Sequence, residues 1–483
     1  MLRLERDADG HMRAVPDTRT YHEATGAPDA GASAESDVTS DADATGRPWR
    51  IWRATDPEPG AAPTFDSLDY LARALWFGEA RADDHAACRG AWARLCAWIV
   101  SDYPGCHAKR TPGATGLSLV QHTLPWGKDQ RRPYVYPTLP ADLARLFAAT
   151  APQHRMELLS LPDATLRRYT QYDARVAHAA YLRHLPVLLG EDTSSLLHDD
   201  DPTYIPYRAG KYRVAVTVPQ GWAHIGLAHR AVTTPLGATW DYPATPGEEW
   251  ETWLDASEVQ LLLTNDVGPW PVAIRERILF ADGKTPGADP LREHAARLTA
   301  YLERLDRAQA TSAAMTPAQA RTLAALRHAA RAVALHPIGL WHKSSNQRPR
   351  HVASLDELTP ADAEATIVPA DTGDGYIVTT SAALSGYQAH WRRVEWSTTI
   401  YARERVNAAR RALTAPRARV LGIRGDAVHF ADYAPAWPDT GKVGAYRLKA
   451  DVRSWGPRRA PQTATELLAL AQEEEEESHG LTR

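Results

Sequence analysis

The sequence predicts an α+β protein, with a small antiparallel sheet and helices segregated between its strands. Two observations carry that prediction. Strand-like runs such as "YRVAVTVP" and "VAIRERILFAD" are separated by helical stretches of uneven length, which disfavours a doubly wound sheet. Three long segments, "PLREHAARLTAYLERLDRAQA", "TPAQARTLAALRHAARAVALHPIGLW" and "VEWSTTIYARERVNAARRAL", carry helical apolar spacing and supply the helical layer.

The bulk numbers bound the class. At 483 residues and 44% hydrophobic content the chain has room for two or three domains with a sizeable core. No run approaches the roughly 18 apolar residues that span a bilayer, and "MLRLERDADGHMRAVP" lacks the apolar core of a signal peptide, so a soluble, cytoplasmic protein without a membrane partner is expected. Cys88, Cys96 and Cys106 form no CxxC pair, which indicates neither a zinc knuckle nor a disulfide framework. A net charge of -4 argues against coating nucleic acid by charge alone. Acid is concentrated in residues 1–45 and in Glu473 to Glu477, however, so the middle of the chain is comparatively basic.

The elements follow in order. Residues 1–46 are rich in Ala, Asp, Ser, Thr and Gly without an apolar period and read as a disordered acidic arm. Order is expected from "RPWRIWRAT", opening a helical domain over 47–150: two helices broken near Gly78, a loop-rich basic connector "KRTPGATG", and a helix at "LPADLARLFAAT". Over 151–310 the texture changes to strands. "QYDARVAHAAYL" reads as a strand-to-helix junction, and "WDYPATPGEEWETWLDASEVQLLLT" as a turn followed by an amphipathic helix. A basic helix occupies 311–350, with Pro317 in its first turn and Pro337 as a breaker. Within 351–455, Val420 to Ile423 and Ala427 to Phe430 flank Arg424-Gly425-Asp426 as a hairpin, and 456–483 is an acidic tail. No GxGxxG, GxxxxGK[ST], HExxH or GxSxG occurs, and "ADGKTPG" is a turn, lacking the upstream glycine of a phosphate loop. Trp222, Trp240, Trp250 and Trp253 read as core packing in preference to base stacking.

Taken singly, Asp173 reads as an N-cap and Asp426 as turn chemistry. Taken together with Arg327 and Arg331, one turn apart on a basic helix, they suit nucleotidyl transfer: carboxylates hold divalent metals and cations hold a triphosphate.

In order and spacing these segments resemble motifs A, B and C of family B DNA polymerases, most nearly the compact protein-primed type. Asp173 matches the motif A acid, while Ala177, His178 and Ala179 stand where that family has Leu-Tyr-Pro. In "RAVALHPIG" only the cation, Arg331, and the glycine, Gly339, of motif B survive. In "RGDAVH" Arg424 stands on the first acid of motif C and Asp426 on the second. "STTIYARERVNAARRAL" resembles the helix before motif C, "GKVGAYRLK" the Lys-bearing segment after it, and "QHRMELL" the Arg-x-Glu element before motif A.

The resemblance implies a palm formed by a small antiparallel sheet over 151–310, with an insertion, and 351–455. It implies a helical fingers element, a reduced thumb, and a degenerate exonuclease remnant as one reading of 47–150. "ATDPEPG", with Asp56 and Glu58 beside two prolines, reads as a loop, so proofreading is not expected. By the same resemblance Asp173 and Asp426 are the catalytic, metal-holding acids for Mg²⁺ or Mn²⁺. Arg327, Arg331, His178, Gly339 and Arg424 would meet the nucleotide, and Arg155 and Lys442 the DNA. The implied partners are DNA, deoxynucleoside triphosphates and a terminal or priming protein. Two functions stay open: nucleotidyl transfer to a DNA or protein-primed 3' hydroxyl, and a catalytically inactive relative that binds DNA in replication or end maintenance of a mobile or linear element. An unrelated α+β protein is the third reading.

Overall fold

The structure is a computed structural model that describes residues 2–6, 12–16, 63–124, 136–159, 168–189, 196–234, 237–282, 289–310, 315–343, 345–363, 365–369, 375–384, 389 and 391–453. The rest of the acidic arm, the start at "RPWRIWRAT", Asp56 and Glu58, most of "ADGKTPG" and the acidic tail lie outside these residues.

In chain order, β1 (Leu2–Arg6) and β2 (Met12–Pro16) precede helices α1 (Tyr70–Phe77), α2 (His85–Asp102), α3 (Pro112–Thr123) and α4 (Ala141–Ala149). Then come β3 (Met156–Leu158), β4 (Tyr169–Ala174), the short α5 (Ala177–Ala180), β5 (Leu197–Asp199), β6 (Gly210–Thr217), β7 (Arg230–Thr234), β8 (Gly237–Asp241) and β9 (Glu249–Asp255). Helix α6 (Ala256–Thr264), β10 (Val272–Leu279), α7 (Arg292–Ala310) and α8 (Pro317–His342) follow. The chain closes with β11 (Asn346–Val352), β12 (Thr366–Pro369), β13 (Tyr376–Ala382), α9 (Val394–Leu413), β14 (Val420–Arg424), β15 (Ala427–Ala431) and β16 (Tyr446–Val452).

The mixed fold with antiparallel sheets agrees with the α+β expectation. The central sheet runs β16-β4-β15-β14-β3, a second sheet β5-β10-β6-β9, and a third β11-β13-β12-β1-β2. One face of the central sheet, through Tyr172, Val428 and Phe430, buries against β6, α6 and α9 in a single apolar cluster with Val214, Leu262 and Val406. A separate helical core joins Trp76, Leu95, Ile99, Leu298, Leu326 and Val333 of α1, α2, α7 and α8.

Local chemistry explains the boundaries. Asp69 and Asp84 accept the backbone N–H of Ala72 and Ala87 as N-caps of α1 and α2, and Gly78 at φ +85 ends α1. Four expectations are corrected. "KRTPGATG" is not all connector: Thr111 caps α3 and Pro112 occupies its first turn, where a missing N–H costs nothing. Glu249–Asp255 is a strand, antiparallel to β6 along its length, and α6 begins only after Asp255, which forms a capping box with Glu258. Leu2–Arg6 and Met12–Pro16 of the arm form a hairpin that extends the third sheet, Leu2 pairing with Ile367; "LRLER" alternates apolar and charged residues at the strand period, ahead of the acidic run.

The fourth correction is Pro337, which lies inside α8 instead of ending it. Proline leaves the Val333 carbonyl without its helical N–H. That carbonyl and the Pro337 ring pack against Gly116 of α3, where an added Cβ would overlap both. Gly116→Ala is therefore expected to destabilise the fold by about 1–3 kcal/mol, because α3 and α8 must separate. Gly339 of α8 has nothing within 4 Å of an added Cβ, so Gly339→Ala is expected to gain up to about 1 kcal/mol from helix propensity. Urea denaturation of the two variants beside wild type checks both signs.

Candidate functional site

The hairpin β14–β15 closes through Gly425 and Asp426, with Arg424 paired to Ala427 and Gly425 at φ +58. Glycine at the first central position, followed by a residue without positive φ, is what a type II′ hairpin turn prefers. The Gly425 N–H donates to the Arg155 carbonyl at 2.8 Å, which fixes the tip over the segment before β3.

Strand β4 lies between β15 and β16. Tyr172 pairs with Val428, so Asp173 stands one position further along, beside the turn that carries Asp426. On the other side Asp173 is directly opposite Arg447. Its carboxylate is buried, accepts from Arg447 Nε at 3.3 Å and lies 3.7 Å from Lys449 Nζ. Three residues on, Val176 sits at φ +45, an unusual conformation for a β-branched residue, and turns the chain into α5.

A third acid, invisible to the motif reading, completes the group. Glu404 of α9 has a side chain only 1% exposed and accepts from His154 Nδ1 at 3.1 Å. His178 Nε2 of α5 contacts its other oxygen. Burial alone would raise the Glu404 carboxyl, but the two imidazoles outweigh it and hold it down at about 2. An added Cβ on Gly425 would lie 3.2 Å from Glu404 Oε1, so the hairpin tip passes directly over this carboxylate.

Asp426, half-buried at the tip, feels all of these charges. Its carboxyl is pushed up to about 6, first by burial and then by the negative charges of Asp173 and Glu404, with Arg331 and His178 acting in the opposite sense. The Asp173 and Asp426 carboxylates offer the oxygen ligands that hard divalent cations prefer.

Next to the acids opens a cavity of about 170 Å³ lined by Arg81, Arg175, Arg327, Arg331, Arg447 and His328, with Asp306 among them. Asp306 pairs with Arg327, Nε to Oδ1 at 3.0 Å, and with Arg175 at 3.3 Å. Arg175 also holds Asp439 at 2.6 Å. Five guanidinium groups around one lining carboxylate make a site for a polyanion, since planar forks match phosphate oxygens.

The structure thus brings Asp173 of β4 beside the hairpin turn that carries Asp426, and Arg327 and Arg331 into one cavity. Other expectations fare differently. Arg155 is corrected: its side chain is 1% exposed, donates through Nε to Glu157 at 2.9 Å and stacks 4.0 Å from the Tyr242 ring, which removes it from contact with DNA. His178 is held on Glu404 and does not line the arginine cavity. Gly339 is on the exposed face of α8, also outside that lining, and Lys442 is exposed in the connection before β16. Arg424 is exposed, and its charge acts on Tyr169 and His429; it is not among the strongest influences on Asp426. Arg175, Arg447, His154 and Glu404 were not singled out by sequence reasoning. Only Arg175 carried a local signal, two residues beyond Asp173.

Among the described residues, no helix is long and apolar enough to cross a membrane. No family model and no curated protein matches the chain. Among solved structures, phi29 DNA polymerase complexed with primer-template DNA and incoming nucleotide substrates is similar, with a TM-score of 0.46 and 13% identity over 71% of this chain and 54% of that chain. Phi29 DNA polymerase complexed with single-stranded DNA gives a TM-score of 0.43 and 13% identity over 72% of this chain. The chain spans 53% of the length of that second structure, and the likeness is a distant one of fold.

Proposed function

We propose that the protein carries out metal-dependent nucleotidyl transfer, joining a deoxynucleotide to a DNA or protein-primed 3' hydroxyl on a palm formed by the central sheet, with α8 as its fingers helix. The observation that carries the reading is that Arg447, paired with Asp173, also lines the arginine cavity, while the turn that carries Asp426 lies beside Asp173. In this reading Arg327, Arg331 and Arg175 bind and orient the triphosphate of an incoming deoxynucleotide. Arg447 is fixed by Asp173, so its guanidinium is presented without a conformational search. Asp173 and Asp426 would hold Mg²⁺ or Mn²⁺, which stabilises negative charge as it develops on the phosphoryl oxygens. DNA, and a terminal or priming protein, would be the macromolecular partners.

A second reading has its own observation. Asp173 already lies against Arg447 and Lys449, and Arg424 stands where motif C of the resembled family has its first acid. Those features suit an inactive relative that grips DNA in replication or end maintenance.

Incorporation of labelled deoxynucleotides on a primed template with Mg²⁺ or Mn²⁺ separates the two. Transfer by wild type that Asp173→Ala abolishes, and for which Arg331→Ala raises the nucleotide KM by roughly tenfold, the worth of one charge-assisted contact, is the expected result. Retained binding of primed DNA with no incorporation by wild type selects the second reading.

A further inference from the structure

We propose that His154, His178 and Glu404 form a binding site for a divalent transition-metal ion, zinc by its ligand chemistry, distinct from the Asp173 and Asp426 pair. One ligand atom from each of the three lies within 4.8 Å of the other two. They come from three separate parts of the chain: the segment before β3, α5 and α9. Two imidazole nitrogens with one carboxylate oxygen suit zinc and its late first-row neighbours, whereas Mg²⁺ and Ca²⁺ select all-oxygen sets.

Two further observations point the same way. His178 Nε2 and Glu404 Oε2 are buried and in direct contact, so a ring nitrogen and a carboxylate oxygen already converge on one point in an almost wholly enclosed setting. The Tyr401 ring lies edge-on to both imidazoles, at 5.0 Å from His154 and 5.6 Å from His178, and restricts their orientation as supporting shells of metal sites do. Exposure falls from His154 at 40% through His178 at 17% to Glu404 at 1%, which gives an ion an approach from the His154 side. Three protein ligands leave a four-coordinate ion one position for water. The two imidazoles take no part in the proposed nucleotidyl-transfer centre, and zinc binding is read by calorimetry without any assay of that activity.

The test is calorimetric titration of zinc chloride into full-length protein purified in chelator and dialysed free of it. About one equivalent should bind with micromolar or tighter affinity. His154→Ala and Glu404→Gln should each weaken binding by at least roughly tenfold, since loss of even an outer-shell partner costs that much. His336→Ala, which removes an exposed histidine of α8, should leave it unchanged. Absence of binding, or binding equal in wild type and His154→Ala, overturns the proposal. Should the variants not fold, cobalt(II) added to wild type decides: a visible d–d band of a nitrogen- and oxygen-ligated ion supports the site, and its absence overturns it.

Discussion

Asp426→Asn is expected to abolish metal-dependent incorporation and, at the same time, to stabilise the metal-free protein. Loss of a shared carboxylate removes electrostatic stabilisation worth several kcal/mol, a drop of about 10³-fold or more in rate. Stability moves the other way because the carboxyl is pushed from its ordinary value of 3.8 up to about 6 in the fold, first by burial and then by Asp173 and Glu404. A raised carboxylate means that the native state binds the proton more tightly than the unfolded chain. The contribution of Asp426 to stability is therefore greatest below pH 4 and is lost as pH rises through 6. At pH 7 the charged form costs the fold free energy, and the asparagine, similar in shape and uncharged, relieves it. Full conversion of the shift would give about 3 kcal/mol, but the half-buried tip keeps some solvent screening, so a gain of about 1–2 kcal/mol is expected. Urea melts of wild type and Asp426→Asn in chelator at pH 5 and pH 7 check this: the gap between them should be larger at pH 7. A variant that loses activity and stability together would mean that Asp426 is structural, with no strained charge held at the hairpin tip.

How far this site was legible in the sequence depends on the range of the interactions that build it. The hairpin at Gly425 is local: two apolar runs around a glycine specify it, and the structure follows. Helix α9 was readable end to end from its spacing, Val394 to Leu413. What that spacing conceals is the direction of each charge. In "YARERVNAARR" a cation or an acid recurs at nearly every turn, the texture of a solvated face, yet Glu404 and Arg405 are both buried. Their partners lie far away in sequence, Glu404 meeting His154 across 250 positions, so no window of residues could reveal them. Arg155 failed for the same reason in reverse. A cation near a motif resembles a phosphate contact until Tyr242, on a distant loop, is found packed against it. Pro337 shows the third kind of limit, where an unfavourable local choice is accepted because a glycine on another helix accommodates it.

The neighbour of Glu404 sets the stability of the whole arrangement. Arg405 points into the core on the other side of α9, its Nε donating to Glu258 Oε1 at 2.9 Å and its Nη2 lying 2.8 Å from the same oxygen, while Nη1 donates to the Pro152 carbonyl. Glu258 is itself the capping-box acid of α6 and has His229 at 3.5 Å. One guanidinium thus ties α9 to α6 and to the segment that carries His154 two residues later. Arg405→Ala leaves Glu258 charged and without its main partner in a dry environment, which is expected to cost about 3–5 kcal/mol. Much of that cost belongs to the stranded charge, because a buried pair repays its own desolvation only in part. The double variant Arg405→Met, Glu258→Leu removes both charges and keeps the volume, so it should recover most of the loss despite the missing α6 capping contact, itself worth about 1 kcal/mol. Denaturant midpoints of the two single variants and the double variant measure the coupling directly. Additive losses in the double variant would show that the pair does not act as a unit, and that α9 is positioned by its apolar contacts alone.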